Sequence, residues 1–255
     1  MKRLIFVLLL CPSVAYAGIL NTLPDIPSDS KEDLKVKLGL GANWQTGNND
    51  VLNISSAGSV YYNKNNGLNI YAISRYSRNG SASGKNINGH SVLTHFRLRY
   101  LRTIGAEFFA QHEFDKFRNL DARVLVGFGP IFRLIKGEDL NIILGTSFMF
   151  EHLNWHKPNH YEYNERSSNY IQIELIKSSI LTLQDSIFFQ FKFYDPKDYL
   201  TLNNLSIEVK ILDWLSINTM CTVAYDSRPP FGIKKLDTTL MTGVVINYEH
   251  KQKEN

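Results

Sequence analysis

The sequence predicts an all-β protein, a transmembrane antiparallel up-and-down β-barrel of about twelve strands. Three observations predict this fold: strict alternation of apolar and polar residues, full charges within the polar phase, and connections of alternating length. In residues 92–100, Val92, Phe96 and Leu98 alternate with Arg97 and Arg99. A period of two indicates an extended strand with one apolar and one polar face. The alternation resumes twice before residue 133, which predicts three successive strands of an antiparallel meander.

The N-terminus, residues 1–17, has the pattern of a cleaved secretory signal. Lys2 and Arg3 precede a short apolar stretch, and a small-x-small site ends at Ala17. The stretch is about half the ~20 residues that a spanning helix needs, which disfavours a retained anchor. Removing Lys2 and Arg3 from the 28 basic residues leaves 26 against 24 acidic ones, a net charge of +2. Such a balance favours no nucleic-acid partner. Cys221 is then the sole cysteine, which excludes an internal disulfide.

The remaining chain divides into three parts. Residues 18–34 contain prolines and acidic residues and predict an irregular periplasmic segment, residues 35–249 predict the barrel, and residues 250–255 form a short polar tail. Within the barrel no helical periodicity competes with the two-residue alternation. The predicted strands lie at about 35–46, 51–63, 67–79, 90–101, 104–118, 121–134, 139–154, 168–178, 185–195, 202–211, 213–226 and 236–249.

The predicted connections alternate in length along the chain. Those expected on one rim are short, such as residues 64–66, 102–103, 136–138 and 182–184. Those expected on the other rim include residues 80–89, 153–167 and 227–235, which are longer and richer in Gly, Pro, Asn or Ser. An even number of strands with short turns on one rim and longer loops on the other is typical of outer-membrane barrels.

Alternation alone does not say which face points inward, and a membrane barrel, a lipocalin-like barrel and a soluble β-sandwich all fit it. Twelve strands make a lumen too wide for side chains to fill easily, which disfavours the lipocalin-like barrel. Aromatic residues of the apolar phase form two girdles at the strand ends, as at the two interfaces of a bilayer. We therefore expect the apolar phase to face lipid. One girdle comprises Trp44, Tyr76, Phe114, Phe150, Phe193 and Tyr225, and the other comprises Tyr62, Tyr100, Phe132 and Tyr248.

The charged phase is then expected to face the lumen, with both signs present. Two interpretations stay open: a polar pore for small charged solutes, or a network of cross-strand ion pairs that supports the barrel. The predicted basic residues are Lys35, Lys37, Arg75, Arg97, Arg99, Arg123, Arg133, Lys192 and Lys210. The predicted acidic residues are Glu107, Glu113, Asp115, Glu151, Glu174, Glu208 and Asp237.

An outer-membrane phospholipase is the enzyme alternative, because one known type uses twelve strands. It needs a serine and a histidine close together on the lipid face. The outward histidines are His112 and His152, and neither has an outward serine two residues away, so we expect no enzyme. His156 and His160 lie in a predicted loop with Pro158 between them, which disfavours a helical metal site. We expect no metal and no cofactor.

The last predicted strand carries an assembly pattern. Gly243, Ile246 and Tyr248 have the Gly-x-x-apolar-x-aromatic spacing, which is similar to the C-terminal signal read by the outer-membrane barrel assembly machinery. The pattern departs from the commonest form because His250 to Asn255 follow it. We therefore expect this machinery and outer-membrane lipid as partners.

Four short motifs resemble, in order, those of the salt-induced outer membrane protein family, whose function is unknown. They are Gly47-Asn48-Asn49-Asp50; the block from Phe114 to Arg123, with Asn119 in place of a glycine; Gly127-Phe128-Gly129-Pro130; and Tyr225-Asp226-Ser227-Arg228-Pro229-Pro230, with Asp237-Thr238 beyond. The resemblance covers roughly residues 35–248. It implies a β-barrel in the bacterial outer membrane and no known activity.

A narrow solute channel and a structural or envelope-stress barrel both remain open, as does the oligomeric state. A soluble periplasmic binding sandwich is the remaining alternative.

Overall fold

Twelve antiparallel strands close into a barrel. The computed structural model describes residues 33–45, 51–64, 67–81, 89–116, 120–156, 160–176, 178, 180–229 and 235–251. Each strand pairs with its neighbour in sequence, and the first also pairs with the last, which closes the sheet. The strands are β1 (Asp33–Gln45), β2 (Val51–Asn63), β3 (Leu68–Ser81), β4 (Gly89–Leu101), β5 (Ile104–Asp115), β6 (Leu120–Lys136), β7 (Leu140–Trp155), β8 (His160–Ile176), β9 (Leu181–Lys192), β10 (Tyr199–Leu212), β11 (Leu215–Asp226) and β12 (Leu236–Lys251).

The closed barrel confirms the predicted fold class and excludes the soluble sandwich. The alternation in sequence decides which side chains enter the lumen, because successive side chains of a strand point to opposite faces. In β4, His95, Arg97 and Arg99 are buried inside, whereas Phe96 and Leu98 are exposed on the outer surface. The same arrangement continues around the barrel, so the outer surface carries a band of exposed Leu, Val, Ile and Phe side chains. A contiguous apolar surface of this extent is typical of contact with a membrane or a partner.

The predicted start of β8 and the turn predicted at 182–184 are wrong. Strand β8 begins at His160, eight residues before the predicted start, and β9 begins at Leu181, four residues before it. The predicted loop at 153–167 is therefore reduced to residues 156–159, and the predicted turn at 182–184 lies within β9. The first half of β8 is polar on both faces, which favoured a loop in the sequence. In the barrel its backbone pairs with β7 along its whole length, from His160 opposite Trp155 to Leu175 opposite Leu140.

The two rims differ in connection length in the predicted direction, except at 156–159, where the connection is short. One rim is the end of the barrel at which β1 begins and β12 ends. The connections on this rim span residues 64–67, 102–103, 137–139, 177–180 and 213–214. Connections on the opposite rim include residues 82–88 and 227–235, which are longer. In the described part of the chain, no helix has the length and apolar character needed to cross a bilayer.

Candidate functional site: the barrel interior

One side of the lumen, formed by β4 to β8, is filled by large side chains; we call it the filled wall. Its first element is the Glu107 cluster, which consists of Arg97, Arg99, Glu107, Ser147 and Tyr170. Arg97 Nη1 lies 2.7 Å from Glu107 Oε2, and Arg99 Nη2 lies 3.6 Å from the same oxygen. The Tyr170 hydroxyl donates to Glu107 Oε2 at 2.8 Å and accepts from Arg99 Nη2 at 3.2 Å. The four strands β4, β5, β7 and β8 are thereby joined through one carboxylate, to which the Ser147 hydroxyl also donates.

The second element of the filled wall is the Glu151 cluster, which is centred on the Glu151 carboxylate. Arg123 Nε donates to Glu151 Oε1 at 2.7 Å, and Arg166 Nε donates to Oε2 at 2.9 Å. Arg166 Nη2 also donates to Asp198 Oδ1 at 3.0 Å, and Lys192 Nζ lies 2.7 Å from Asp198 Oδ2. Buried charges are tolerated only where they are paired and hydrogen-bonded in this way. The cluster also includes Glu113, whose Oε2 lies 3.4 Å from Arg123 Nη1, and Asn164, which donates to Glu151 Oε2.

Aromatic rings complete the filled wall, and two of them, those of Phe109 and Tyr170, lie against glycines. A Cβ atom added to Gly145 would lie 2.2 Å from Tyr170 Cε1, and one added to Gly127 would lie 2.3 Å from Phe109 Cζ. A side chain at either glycine would therefore displace a ring. The Arg97 guanidinium lies 4.9 Å from the centroid of the Phe109 ring, so the ring also contacts the Glu107 cluster.

The opposite side of the lumen, formed by β12, β1 and β2, has a different character; we call it the open wall. Its interior residues are mostly small or flexible, and eleven of those that the structure describes are half-buried, which means that water reaches them. By contrast, the interior residues of β4 from Leu93 to Leu101 and those of β5 from Glu107 to Asp115 are all buried. The half-buried interior residues are Lys35, Lys37, Gly39 and Gly41 of β1, Ser55, Ala57 and Ser59 of β2, and Met241, Gly243, Val245 and Asn247 of β12. Tyr61 and Asn63, at the end of β2, are buried.

The predicted lumen charges divide between these two environments. Arg97, Arg99 and Glu107 lie in the Glu107 cluster, whereas Glu113, Arg123, Glu151 and Lys192 lie in the Glu151 cluster. Asp115, Arg133 and Glu174 are buried elsewhere inside the barrel, and Arg75 is half-buried. Lys37 and Glu208 form a pair beside the open wall. The sequence expectations for Asp237 and Trp44 concern side chains outside the described part of the structure.

Lys210 lies at the rim where β1 begins and β12 ends. There it forms an ion pair with Asp213, in the turn between β10 and β11. Its Nζ lies 2.8 Å from Asp213 Oδ1. This hydrogen bond and the ammonium charge lower the pKa of the exposed Asp213 carboxyl. The pair is solvated, so it contributes little to the stability of the barrel.

The aromatic residues predicted for the girdles lie on the outer surface wherever their side chains are described. Exposed members include Tyr76 and Phe150 near one rim and Tyr100 and Tyr248 near the other. The remaining described members, Tyr62, Phe114, Phe132, Phe193 and Tyr225, follow the same outward phase.

Three histidines considered in the sequence analysis contact an aromatic ring or a single carboxylate. The outward His152 stacks on Tyr163, with ring centroids 4.5 Å apart. His156 Nδ1 lies 3.2 Å from Asp121 Oδ2 in an exposed pair, and His160 Nε2 lies 3.9 Å from Glu162 Oε1. Within the described ranges, no three side chains of the types that ligate metals come together.

The Asp-Ser-x-Pro-Pro motif joins two loops at the mouth of the barrel. Ser227 Oγ accepts a hydrogen bond from Tyr199 N at 2.8 Å and donates one to Lys197 O at 2.9 Å. Arg228 forms an ion pair with Asp195. The loop between β9 and β10 is thereby held against the start of the loop between β11 and β12. Because Asp198 belongs to the first of these loops, the motif also supports the Glu151 cluster.

Five members of the two clusters are absent from the sequence prediction: Ser147, Asn164, Arg166, Tyr170 and Asp198. Arg166 falls in the segment that was predicted to be a loop, and Asp198 lies in a true loop. Tyr170 is an aromatic residue in the polar phase. The signal that could have revealed Arg166 is the polar alternation of Glu162, Asn164 and Arg166, which continues back from β8.

Comparisons with known proteins agree with this architecture. The structure is similar to an outer membrane channel from Pseudomonas putida F1, with a TM-score of 0.54, 11% identity, and coverage of 91% of this chain and 100% of that one. It is also similar to the NanC porin, with a TM-score of 0.51, 12% identity, and coverage of 84% and 98%. At these identities the likeness shows the fold. No curated protein sequence matches the chain. Residues 38–248 match the family described as "Protein of unknown function, DUF481".

Proposed function

Because the chain belongs to the DUF481 family, which carries no assigned activity, we propose a function from the interior of the barrel. The protein is a narrow passive channel for small polar and charged solutes in the bacterial outer membrane. The observation that carries this proposal is the open wall, where small, water-accessible residues follow one another on three adjacent strands. Solutes pass along this wall and not through the Glu107 and Glu151 clusters.

The dimensions of the barrel support a narrow passage. Twelve strands ~4.8 Å apart and tilted by ~40° form a backbone ring of roughly 24 Å diameter. Inward side chains of ~5–7 Å on each wall leave a gap of about 10 Å. The passage is displaced toward β1, because the side chains of the filled wall reach across their half of the lumen. Ions and small solutes fit such a gap, whereas large sugars and folded peptides do not.

A planar bilayer experiment tests the channel function. The folded wild-type barrel should show small, salt-dependent conductance. Ala57 faces the lumen on the open wall, so the substitution Ala57→Trp should lower this conductance several-fold. Ala72 is exposed on the outer face of β3, and Ala72→Trp is the matched control that should leave it unchanged. A folded wild type without conductance would contradict the channel.

A structural or envelope-stress barrel is the second candidate, and the filled wall favours it. Networks of buried ion pairs join β4 to β8 and stiffen that half of the barrel. We also propose that the protein is not an enzyme, since the outward His152 contacts tyrosine rings and not a hydroxyl nucleophile.

Assembly is proposed to depend on the end of β12. Ile246 and Tyr248 are exposed on the outer face, and Gly243 lies opposite Gly41 where β12 closes against β1. We expect Tyr248→Ala to reduce the amount of heat-modifiable folded barrel in cells. Deletion of residues 252–255 should be tolerated, because the pairing of β12 with β1 ends at Lys251. A truncation that abolishes folding while Tyr248→Ala does not would place the signal elsewhere.

A further inference from the structure

One ion pair of the lumen crosses two intervening strands. Lys37 lies on β1 and Glu208 on β10, and the two strands are separated by β12 and β11. Even so, Lys37 Nζ lies 3.5 Å from Glu208 Oε2. Unlike the buried charges of the filled wall, these side chains remain 29% and 26% exposed. The pair therefore spans the side of the lumen that water reaches.

The register of the strands places Glu208 level with Gly41 of β1, the strand that carries Lys37. Glu208 pairs with Asn218 on β11, Asn218 pairs with Gly243 on β12, and Gly243 pairs with Gly41 on β1. Gly41 lies four residues from Lys37 along β1, and Lys37 itself pairs with Asn247. Two of the three residues in the row of Glu208 are glycines, which leaves room in the lumen for the long Lys37 side chain to reach across. A Cβ atom added to Gly243 would lie 2.9 Å from the Leu40 carbonyl oxygen, so the closely packed backbone excludes a larger residue there.

We propose that Lys37 and Glu208 form a recognition site for small zwitterions, solutes that carry one carboxylate and one ammonium group. The inference rests on the proposed channel function and names its solute class. A solvated ion pair holds its partners weakly, so a passing solute can displace both ends. The solute carboxylate then binds the Lys37 ammonium, and the solute ammonium binds the Glu208 carboxylate. A solute with a single charge binds only one of the two side chains, and a neutral solute binds neither as an ion.

The test measures the swelling of liposomes that contain the full-length barrel, with threonine and erythritol as zwitterionic and neutral four-carbon solutes. In the wild type, threonine should enter at least as fast as erythritol. In Lys37→Gln/Glu208→Gln, the ratio of the two rates should fall several-fold. The exchanged pair Lys37→Glu/Glu208→Lys keeps both charges and should retain the wild-type ratio. The matched control Lys210→Gln/Asp213→Asn removes a pair at the rim and should leave the ratio unchanged.

A second readout is the reversal potential in a KCl gradient. Lys37→Gln leaves the Glu208 carboxylate without its partner in this pair and should shift selectivity toward cations. Glu208→Gln should shift it toward anions. A threonine-to-erythritol ratio that is the same in the double glutamine variant as in the wild type would overturn the zwitterion site while leaving the channel intact. If the folded wild type admits neither solute, the channel function itself fails, and the site fails with it.

Discussion

The filled wall and the open wall are built from the same alternation, yet they create two different environments inside one barrel. On β4 to β8 the inward positions carry Arg, Glu, Phe, Tyr and Met, and the charges are buried in clusters. On β12, β1 and β2 the inward positions carry mainly Gly, Ser, Ala and other residues that water still reaches. The phase of the alternation decides which residues face the lumen. The size of those residues decides whether the lumen is closed at that place.

The comparison also shows that inward charges of the same type are not equivalent. The Glu151 side chain is 1% exposed and receives hydrogen bonds from two arginines, whereas the Glu208 side chain is 26% exposed and contacts one lysine. Burying a charge costs several kcal/mol that only good pairing offsets, so a buried pair is costly to break. A solvated pair contributes about 0–1 kcal/mol and is easily exchanged. The first environment suits a structural network, and the second suits transient binding.

The largest expected effect comes from removing one charge of the Glu151 cluster. Glu151→Gln leaves the buried guanidinium groups of Arg123 and Arg166 without a carboxylate between them. We expect the free energy of unfolding to fall by ~3–5 kcal/mol. The matched control is Glu208→Gln, which removes a solvated charge and should cost about 0–1 kcal/mol. Urea titrations of the barrel folded into lipid vesicles measure both values. Similar losses in the two variants would show that the buried Glu151 and the solvated Glu208 contribute equally to stability, which would contradict the difference between the two walls.

The next effect separates the outer surface from the open wall. Val126 is 39% exposed on the outer face of β6, and Val126→Arg places a charge against lipid. This substitution should cost ~2–4 kcal/mol near the middle of the bilayer. Ser59→Arg places the same side chain in the water-accessible lumen, where it should cost much less. The same titrations in lipid vesicles compare them. A smaller cost for Val126→Arg than for Ser59→Arg would contradict the assignment of faces.

Most of the fold could be predicted from the sequence, because alternation is a local property that each strand carries by itself. It predicts twelve strands, their neighbours and the face that each residue occupies. The prediction of where β8 begins was wrong. The inward residues Glu162, Asn164 and Arg166 are polar, and the outward residues of the same segment are also partly polar, so the segment lacks a clear apolar face. The only local sign of the strand is the alternation of these three inward residues, which is weak without an apolar partner set. Its polar groups are satisfied by residues distant in sequence, since Arg166 bonds to Glu151 and Asp198.

The division of the lumen into two walls was harder to predict than the fold. The mixed charges of the polar phase leave both a pore and an ion-pair network open. Glu107 and Glu208 are the same residue type in the same inward phase, yet the Glu107 side chain is fully buried whereas that of Glu208 is 26% exposed. The position of Tyr170 over Gly145 closes one side, and it depends on the register between β7 and β8. Register and side-chain reach are properties of the assembled barrel, so residue types alone do not reveal them.

The smallest expected effect concerns two glycines in equivalent inward positions on the two walls. A Cβ atom at Gly145 would lie 2.2 Å from Tyr170 Cε1, whereas one at Gly39 would meet nothing closer than the Ala57 carbonyl oxygen at 3.9 Å. The Tyr170 ring has little freedom to move, because its hydroxyl is bonded to both Glu107 and Arg99. We therefore expect Gly145→Ala to lower the free energy of unfolding by ~1–3 kcal/mol through overpacking.

Gly39→Ala should instead be neutral or should stabilise the barrel by up to ~1 kcal/mol, because alanine loses less backbone entropy on folding than glycine does. Denaturant titrations measure the change in the free energy of unfolding for each variant. The expected changes have opposite signs for Gly145→Ala and Gly39→Ala. Tyr170→Phe in the Gly145→Ala background offers a sharper version of the test. Removing the hydroxyl frees the ring to shift, so part of the loss caused by Gly145→Ala should disappear in a double-mutant cycle. Additive effects of Gly145→Ala and Tyr170→Phe would mean that the Glu107 cluster does not hold the ring against the wall.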